Sequence, residues 1–528
     1  MRRAAIAMAL GSAGVCLLTG VARAQFGRGP GDFSTAGGDA HRSSWVRTDA
    51  KISPDALSRP GFDLVWKVKL SNEARQLNAL TPASLLTSYI GYRGFRSLAL
   101  VGGSSNQVFA IDTDLGRMEW QKAVMATPGP VGASLSCPGG MTANVARPVF
   151  AGFPMPPVAG RGGGRGGPAK SGVGEPNEGA VTLKEYLARV AAPPPPPPTP
   201  PAIPPGGRGP GRMPNYVHAI SSDGMFHSMY ISNGEEPAPP IKFLPPNANG
   251  EGLIVVDNVA YAFTTDGCGG APNAIWALDI ASQDVATWQP ASGGIAGSVG
   301  PAFGPDGTVY VTTQTGDLVT LEPKTLKLKE VFRAGHEFTS SPVVFQSETR
   351  TMIAAATRDG RIYVLDGAAL SNSAYQSEVL VPGDNFTPGA LATWQDAAGS
   401  RYLLATTSNA VMSWRVVTQS GSLALEKAWA SPEMVAPLTP LIVNGVVFAV
   451  SSGEFVSDDA RMTAAQRAQR SVPAVVYALD GATGRMLWNS GKTIAAFVHA
   501  GGLSGGGTQV YLGTHDGTLY AFGFPIEH

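Results

Sequence analysis

The 528-residue chain contains 66 Gly and 43 Pro, with 43% hydrophobic and 15% charged residues. This composition indicates short strands joined by many turns, and it excludes a highly charged disordered polymer. Lys plus Arg equal Asp plus Glu at 39 each. With no long basic stripe, that balance argues against a nucleic-acid-binding protein, whose affinity rests mainly on Lys and Arg.

The N-terminus has the pattern of an export signal. Two arginines precede an apolar stretch, and Ala22–Ala24 places small residues at the two positions that a signal peptidase reads. We therefore predict a signal peptide over residues 1–24, cleavage before Gln25, and a periplasmic or secreted protein with no integral membrane span. Cleavage leaves two cysteines, Cys137 and Cys268, and an oxidising compartment permits one disulfide.

An internal repeat organises the remainder of the chain. Three segments combine an alternating apolar strand that ends in Asp, a short turn and a strand that ends in Trp; they are residues 106–120, 273–288 and 474–488. Weaker copies of the first of these strands bring the count to eight; they lie at 224–236, 316–332, 360–370, 410–417 and 517–525. A period of about 40–45 residues with four short strands is typical of a propeller.

The last copy lacks a Trp-bearing partner strand, and the segment DLVWKVKL at 63–70 has that pattern. We therefore predict an all-β fold over residues 63–525, a single eight-bladed β-propeller of four-stranded antiparallel blades. In this prediction the N-terminal strand closes the last blade, which leaves no open sheet edge. Residues 25–62 form a lead-in segment.

The repeat resembles that of the pyrroloquinoline-quinone (PQQ) family of eight-bladed propellers. VVYALDGATGRMLW at 475–488 matches the family pattern of an apolar strand, Ala-Leu-Asp, a Thr-Gly turn and Trp, and FSTAGGDAHRSSW at 33–45 is similar to the lead-in of quinoprotein dehydrogenases. The resemblance implies five tryptophans that dock neighbouring blades: Trp66, Trp120, Trp288, Trp429 and Trp488.

The resemblance leaves two functions open. Quinoprotein dehydrogenases hold PQQ with a calcium ion and oxidise alcohols or sugars, whereas outer-membrane-protein assembly scaffolds use the same propeller without a cofactor to bind partner proteins. A quinone site needs acids and an arginine converging at the centre of the funnel, and calcium prefers carboxylate and amide oxygens. The two adjacent cysteines that many of these dehydrogenases carry are absent here.

Candidate site residues lie in the loops that enter each blade, because these loops line the central mouth. Only three acids occur there, Glu251, Glu337 and Asp384. Asp384 is the candidate catalytic residue and, with Asn385, the candidate metal ligand. The candidate cofactor-binding residues are Asn385, Asn144 and Asn249. Asp and Asn are also ordinary turn formers, so these assignments compete with a purely structural reading.

Two further features concern the second and third blades. Cys137 lies in the entry loop of the second blade and Cys268 in a hairpin loop of the third, and such loops emerge on the same face, so we predict a disulfide between them. Residues 151–213 carry a Gly/Arg-rich run and a proline run, and we predict a disordered insertion within the second blade. Residues 181–190 have helical apolar spacing, which leaves open a short helix that docks on the propeller or on a partner.

Our first functional reading is an exported, monomeric, non-catalytic binding or scaffold protein, whose mouth binds a protein partner or a small ligand. The alternative is a PQQ- and calcium-dependent quinoprotein dehydrogenase.

Overall fold

The structure is a computed structural model. It describes residues 33–91, 94–125, 134–153, 216–370, 375–381, 386–419, 422–459, 461–499 and 501–525. The predicted signal peptide and nearly all of the predicted insertion lie outside the described residues. The chain divides into one unit of Met1–Ala151 with Tyr216–His528 and another of Gly152–Asn215, and the propeller belongs to the first. Within the described ranges, no helix has both the length and the apolar character needed to cross a bilayer.

The predicted all-β, eight-bladed propeller is confirmed, with eight separate sheets as the blades. Blade 1 contains Ser84–Gly91, Gly94–Gly103, Gln107–Asp112 and Arg117–Ala123. Blade 2 contains Tyr216–Ile220, Met225–Tyr230 and Ile241–Lys242. Blade 3 contains Asn249–Val256, Val259–Thr265, Ala274–Asp279 and Val285–Trp288. Blade 4 contains Ala302–Phe303, Val309–Thr312, Asp317–Leu321 and Leu328–Arg333.

The second half of the ring follows the same order. Blade 5 contains Val343–Ser347, Arg350–Thr357, Arg361–Asp366 and Tyr375–Gln376. Blade 6 contains Ala392–Gln395, Arg401–Thr406, Val411–Gln419 and Ser422–Ala430. Blade 7 contains Leu438–Val443, Val446–Ser451, Val475–Asp480 and Met486–Asn489. Blade 8 contains Ser504–Gly506, Gln509–Gly513 and Thr518–Gly523, and Asp63–Lys69 pairs antiparallel with the last of these.

Three blades depart from the predicted four strands. In blade 2 the described residues form three strands, and Ala146 takes the place of the first strand through a single bridge to His218. Blade 3 gains Pro148–Val149 and blade 7 gains Trp45–Val46, each as a short parallel strand. These additions pair segments far apart in the chain, which a repeat pattern does not encode. The helices within the described ranges are short: Pro54–Leu57, Ala464–Arg470 and a 3-10 turn at Cys268–Gly270.

The five tryptophans of the repeat pack between blades. Three of them donate the indole N–H to a carbonyl of the following blade: Trp66 to Thr113, Trp120 to Ile231 and Trp429 to Gly481, at 2.7, 2.7 and 2.9 Å. Trp488 meets Phe62 edge-on at 5.0 Å, and Trp288 packs, partly buried, on the core between blades 3 and 4. Each ring therefore adds apolar burial at a blade junction, and three of them add a directional hydrogen bond.

Candidate functional site

The centre of the ring is occupied by the chain itself. Residues 33–46, here called the central segment, hydrogen-bond to the first strands of successive blades, so these first strands are the ones that converge. Blade by blade the bonded pairs are Phe33–Leu85, Ser34–Arg147, Thr35–Leu253, Ala40–Phe303, His41–Val344, Ser43–Thr393 and Ser44–Ile442. Seven of the eight blades are thereby joined in chain order to one buried segment.

Arg42 lies at the middle of the central segment and is 1% exposed. Its guanidinium donates to the carbonyls of Pro301 and Gly252, both at 2.9 Å, to the Ala36 carbonyl and to the Thr35 hydroxyl at 3.2 Å. Burial lowers the pKa of Arg42 to about 9, with the charge of Asp39 acting in the opposite direction. Arg42 stays protonated at neutral pH, and its donors are used in holding blades 3 and 4 to the segment.

Near Arg42 the entry loops of neighbouring blades contact one another directly. The blade 4 loop reaches the loops of blades 5 and 6, because Ser298 N donates to Gly389 O at 3.0 Å and Val299 N donates to Ser341 Oγ at 3.2 Å. A Cβ at Gly297 would overlap the backbone nitrogen of Ser341. At the blade 3 side, a Cβ at Gly252 would overlap Cα of Gly300. The loops therefore approach backbone to backbone.

A small polar cluster lies at the entry to blade 3. The Asn249 amide donates to Thr265 Oγ1 at 2.9 Å, to Glu251 Oε1 at 3.3 Å and to Asp266 Oδ2 at 3.4 Å. Burial, followed by the negative charge of Asp266, raises the pKa of Glu251 to about 7, against the opposing bonds from Asn249 and Thr265. This carboxyl exchanges a proton near neutral pH, a property shared by many general bases.

Cys137 and Cys268 form a disulfide beside this cluster. It joins the entry loop of blade 2 to the hairpin loop of blade 3, and Cys137 Sγ lies 4.0 Å from the Asp266 carbonyl oxygen. Two loops of the mouth are thus covalently tied next to Glu251, an acid whose pKa is raised towards neutrality.

Of the sequence-predicted ligands, the two that are described, Asn144 and Asn249, have different surroundings. Asn144 is buried, and its amide donates to Thr35 Oγ1 at 3.2 Å and to Leu253 O at 3.0 Å, so it fixes the central segment. Asn249 belongs to the cluster with Glu251. Asp384 and Asn385 lie outside the described residues. Among the residues that are described, no three His, Cys, Asp or Glu side chains gather as a metal-binding group.

Several described groups that a quinone site would draw on are bonded within the protein. The loops of blades 3 and 4 approach backbone to backbone at Gly252, and those of blades 4 and 5 do so at Gly297. The central arginine that such a site requires is present as Arg42, but its donors are taken by protein oxygens. The Asn144 amide is likewise used inside the protein.

A different surface stands out on the rim of blade 7. The rim loop, residues 452–473, joins the second and third strands of that blade, and three valines there and in the adjacent entry loop are exposed: Val435 at 49%, Val456 at 61% and Val472 at 50%. Gly453 connects two of them, because its N–H donates to the Val435 carbonyl and its carbonyl accepts from Val472 N. Val456 lies three residues beyond Gly453 in the same loop.

Polar contacts hold the rim loop in place. The buried carboxylate of Glu454 pairs with His499 Nδ1 at 2.8 Å and lies 4.0 Å from Arg467 Nη2. Thr463 and Gln466 form a capping box at the start of the helix Ala464–Arg470. A loop fixed in this way presents its apolar side chains in a set arrangement. Nothing in the sequence pattern of this loop indicates which of its side chains face outward.

Comparison with known proteins supports the fold. No protein-family model and no curated protein matches the chain. Among solved structures, a quinohemoprotein alcohol dehydrogenase from Comamonas testosteroni has a TM-score of 0.57 and 14% identity, covering 96% of this chain and 82% of its own. A europium-containing methanol dehydrogenase has a TM-score of 0.55 and 12% identity, covering 94% and 99%. BamB from Moraxella catarrhalis has a TM-score of 0.48 and 12% identity, covering 88% and 99%. At these identities the likeness shows the propeller and leaves the role open.

Proposed function

We propose that this chain is an exported, non-catalytic binding protein and that a protein partner docks on the rim of blade 7. The observation that carries the proposal is the valine patch formed by Val435, Val456 and Val472. Single exposed apolar residues are ordinary, whereas three on the rim loop and the entry loop bonded to it favour an interaction site. Each is about half exposed, so covering the patch contributes on the order of 1 kcal/mol per valine.

The filled centre supports the same proposal. The guanidinium of Arg42 is bonded to protein carbonyls and the entry loops of blades 3, 4 and 5 contact one another, so these groups are already used within the protein. The Cys137–Cys268 disulfide supports export, because such bonds persist in oxidising compartments. Binding by a rigid loop also costs little conformational entropy, which favours a preformed docking surface over a mobile one.

The test compares two sets of charge substitutions in the full-length exported protein. The patch variant carries Val435→Asp, Val456→Asp and Val472→Asp. The control variant carries Val285→Asp and Leu328→Asp, which are 41% and 51% exposed on the outer strands of blades 3 and 4. Each protein is cross-linked in its native cells, and the cross-linked partners are identified and quantified by mass spectrometry.

The proposal expects one partner that is recovered with the wild type and the control but falls at least tenfold with the patch variant. Equal recovery with all three proteins, or loss with both variants, would refute docking at the rim of blade 7.

The alternative function is a PQQ- and calcium-dependent dehydrogenase, and the observation that favours it is the near-neutral pKa of Glu251. The purified protein is titrated with PQQ and Ca²⁺ by calorimetry, and dye-linked oxidation of alcohols and aldoses is then assayed. Saturable binding with turnover that Glu251→Gln abolishes would replace the binding-protein proposal. No binding at micromolar PQQ supports it.

A further inference from the structure

Two arginines and a tryptophan lie close together where the end of the central segment meets blades 5, 6 and 7. Arg47 follows the short strand Trp45–Val46, and Arg401 begins the second strand of blade 6. The guanidinium carbons lie 4.0 Å (Arg47) and 5.5 Å (Arg401) from the centroid of the Trp45 ring. Arg401 also lies 5.6 Å from the ring centroid of Phe345 in blade 5.

Neither guanidinium forms an ion pair with a carboxylate of the described residues. Arg401 is 8% exposed, and Nη2 donates only to neutral oxygens, Gln346 O at 3.0 Å and Gln395 Oε1 at 3.3 Å. Burial lowers the pKa of Arg47, and the negative charge of Asp39 acts in the opposite direction. The Asp39 carboxylate already accepts hydrogen bonds from two backbone N–H groups and from the Ser43 hydroxyl. The two guanidiniums thus share the Trp45 ring without a direct ion pair to a described carboxylate.

Unsatisfied donors occur in the same cluster. Nε of Arg401 and Nε1 of Trp45 are buried and have no hydrogen-bond acceptor in the described part of the chain. Burial, and after it the charge of Arg47, lower the pKa of Arg401 to about 10. Buried donors are normally satisfied, and a buried charge is normally paired. An oxyanion would supply both the acceptors and the missing negative charge.

We infer that Arg47, Arg401 and Trp45 form a binding site for the oxyanion of a phosphate group. A guanidinium presents its N–H groups in a planar fork that matches phosphate oxygens, and two of them suit a doubly charged group better than a carboxylate. The cluster is built from the central segment and from blades 5 and 6. It is distinct from the rim of blade 7 and does not depend on the proposed docking function.

The experiment is a titration of the full-length exported protein with inorganic phosphate at pH 7.5 in low salt. Binding is measured by calorimetry and by the shift in Tm. The wild type is expected to bind one phosphate saturably and to be stabilised by it. Arg47→Gln and Arg401→Gln are each expected to weaken binding at least tenfold. The matched control is Arg415→Gln, since Arg415 is already paired with Glu426 at 2.8 Å on an exposed hairpin of blade 6, and it should bind as the wild type does.

Arg47 is only partly buried, so Arg47→Gln remains a test even if Arg401→Gln fails to fold. Acetate, a monoanion, is expected to bind more weakly than phosphate. The same titration is repeated with glycerol 3-phosphate. Binding as tight as that of inorganic phosphate assigns the site to a phosphate group carried on a larger molecule. Binding of inorganic phosphate alone assigns the site to the free ion. Absence of saturable phosphate binding by the wild type, or unchanged affinity in Arg47→Gln, would overturn the inference.

Discussion

Replacing Glu251 by glutamine should change how the stability of the propeller depends on pH. Burial and the neighbouring charge of Asp266 raise the pKa of Glu251 from the usual 4.5 to about 7 in the folded protein. Between these values the folded protein holds a proton that the unfolded chain releases. The stabilisation from protonated Glu251 is therefore complete below pH 4.5 and is lost as the pH rises through 7.

The size of the effect follows from the shift. At 1.36 kcal/mol per pKa unit, a rise from 4.5 to about 7 corresponds to about 3 kcal/mol of unfolding free energy lost above neutrality. Glutamine keeps the shape and the polar contacts of the protonated acid but cannot ionise. Glu251→Gln should therefore match the wild type near pH 4.5 and exceed its stability by up to about 3 kcal/mol at pH 8.

Urea unfolding at half-unit steps from pH 4.5 to 8.5 measures this difference directly. Other titrating groups cancel when the variant is subtracted from the wild type, which leaves the contribution of Glu251. The control is Glu433→Gln, which makes the same substitution at an exposed carboxylate. Parallel profiles for the wild type and Glu251→Gln would show that Glu251 is not held protonated by its surroundings, and the argument from burial and Asp266 would fail.

Three further predictions concern the ring. Trp429→Ala should lower the unfolding free energy by about 3–5 kcal/mol. Trp429→Phe loses mainly the indole N–H hydrogen bond and should lower it by about 1 kcal/mol. Equal losses for the two variants in urea unfolding would contradict a separate hydrogen-bond contribution. Breaking the disulfide by Cys137→Ser with Cys268→Ser should cost about 2–5 kcal/mol, read from Tm. Arg42→Met removes the hydrogen-bond donors of several buried oxygens. At about 1–3 kcal/mol per oxygen, it should lower the unfolding free energy by several kcal/mol. An unchanged midpoint of urea unfolding would show that the guanidinium is not essential to the stability of the ring.

The fold was predictable because each blade repeats one local code. An alternating strand, a turn and a Trp-bearing strand recur at a nearly constant period, and local patterns of this kind survive in a single sequence. The parallel pairing of Trp45–Val46 with Leu438–Val443 was not predictable. It joins segments nearly 400 residues apart, and neither segment differs in pattern from an ordinary strand.

The candidate site was predicted in outline only. The entry loops were correctly expected to meet at the mouth, and their few acids included Glu251, but its raised pKa depends on burial and on Asp266, which lies in another loop. Asn144 looked like a ligand because its loop reaches the centre. Its amide bonds to Thr35 and Leu253, each 109 residues away in the chain, so only the assembled ring shows its structural use.

The central segment explains why a family likeness does not fix the function here. In a propeller the first strands converge, and whatever fills the space between them decides what the ring can hold. In this chain Arg42 supplies the cation at that point, and the carbonyls of Pro301 and Gly252 supply its acceptors. The centre is thereby satisfied by the protein's own groups. The exposed valines of the rim, and the guanidiniums of Arg47 and Arg401 that form no ion pair with a described carboxylate, are the groups on which both proposals of binding rest.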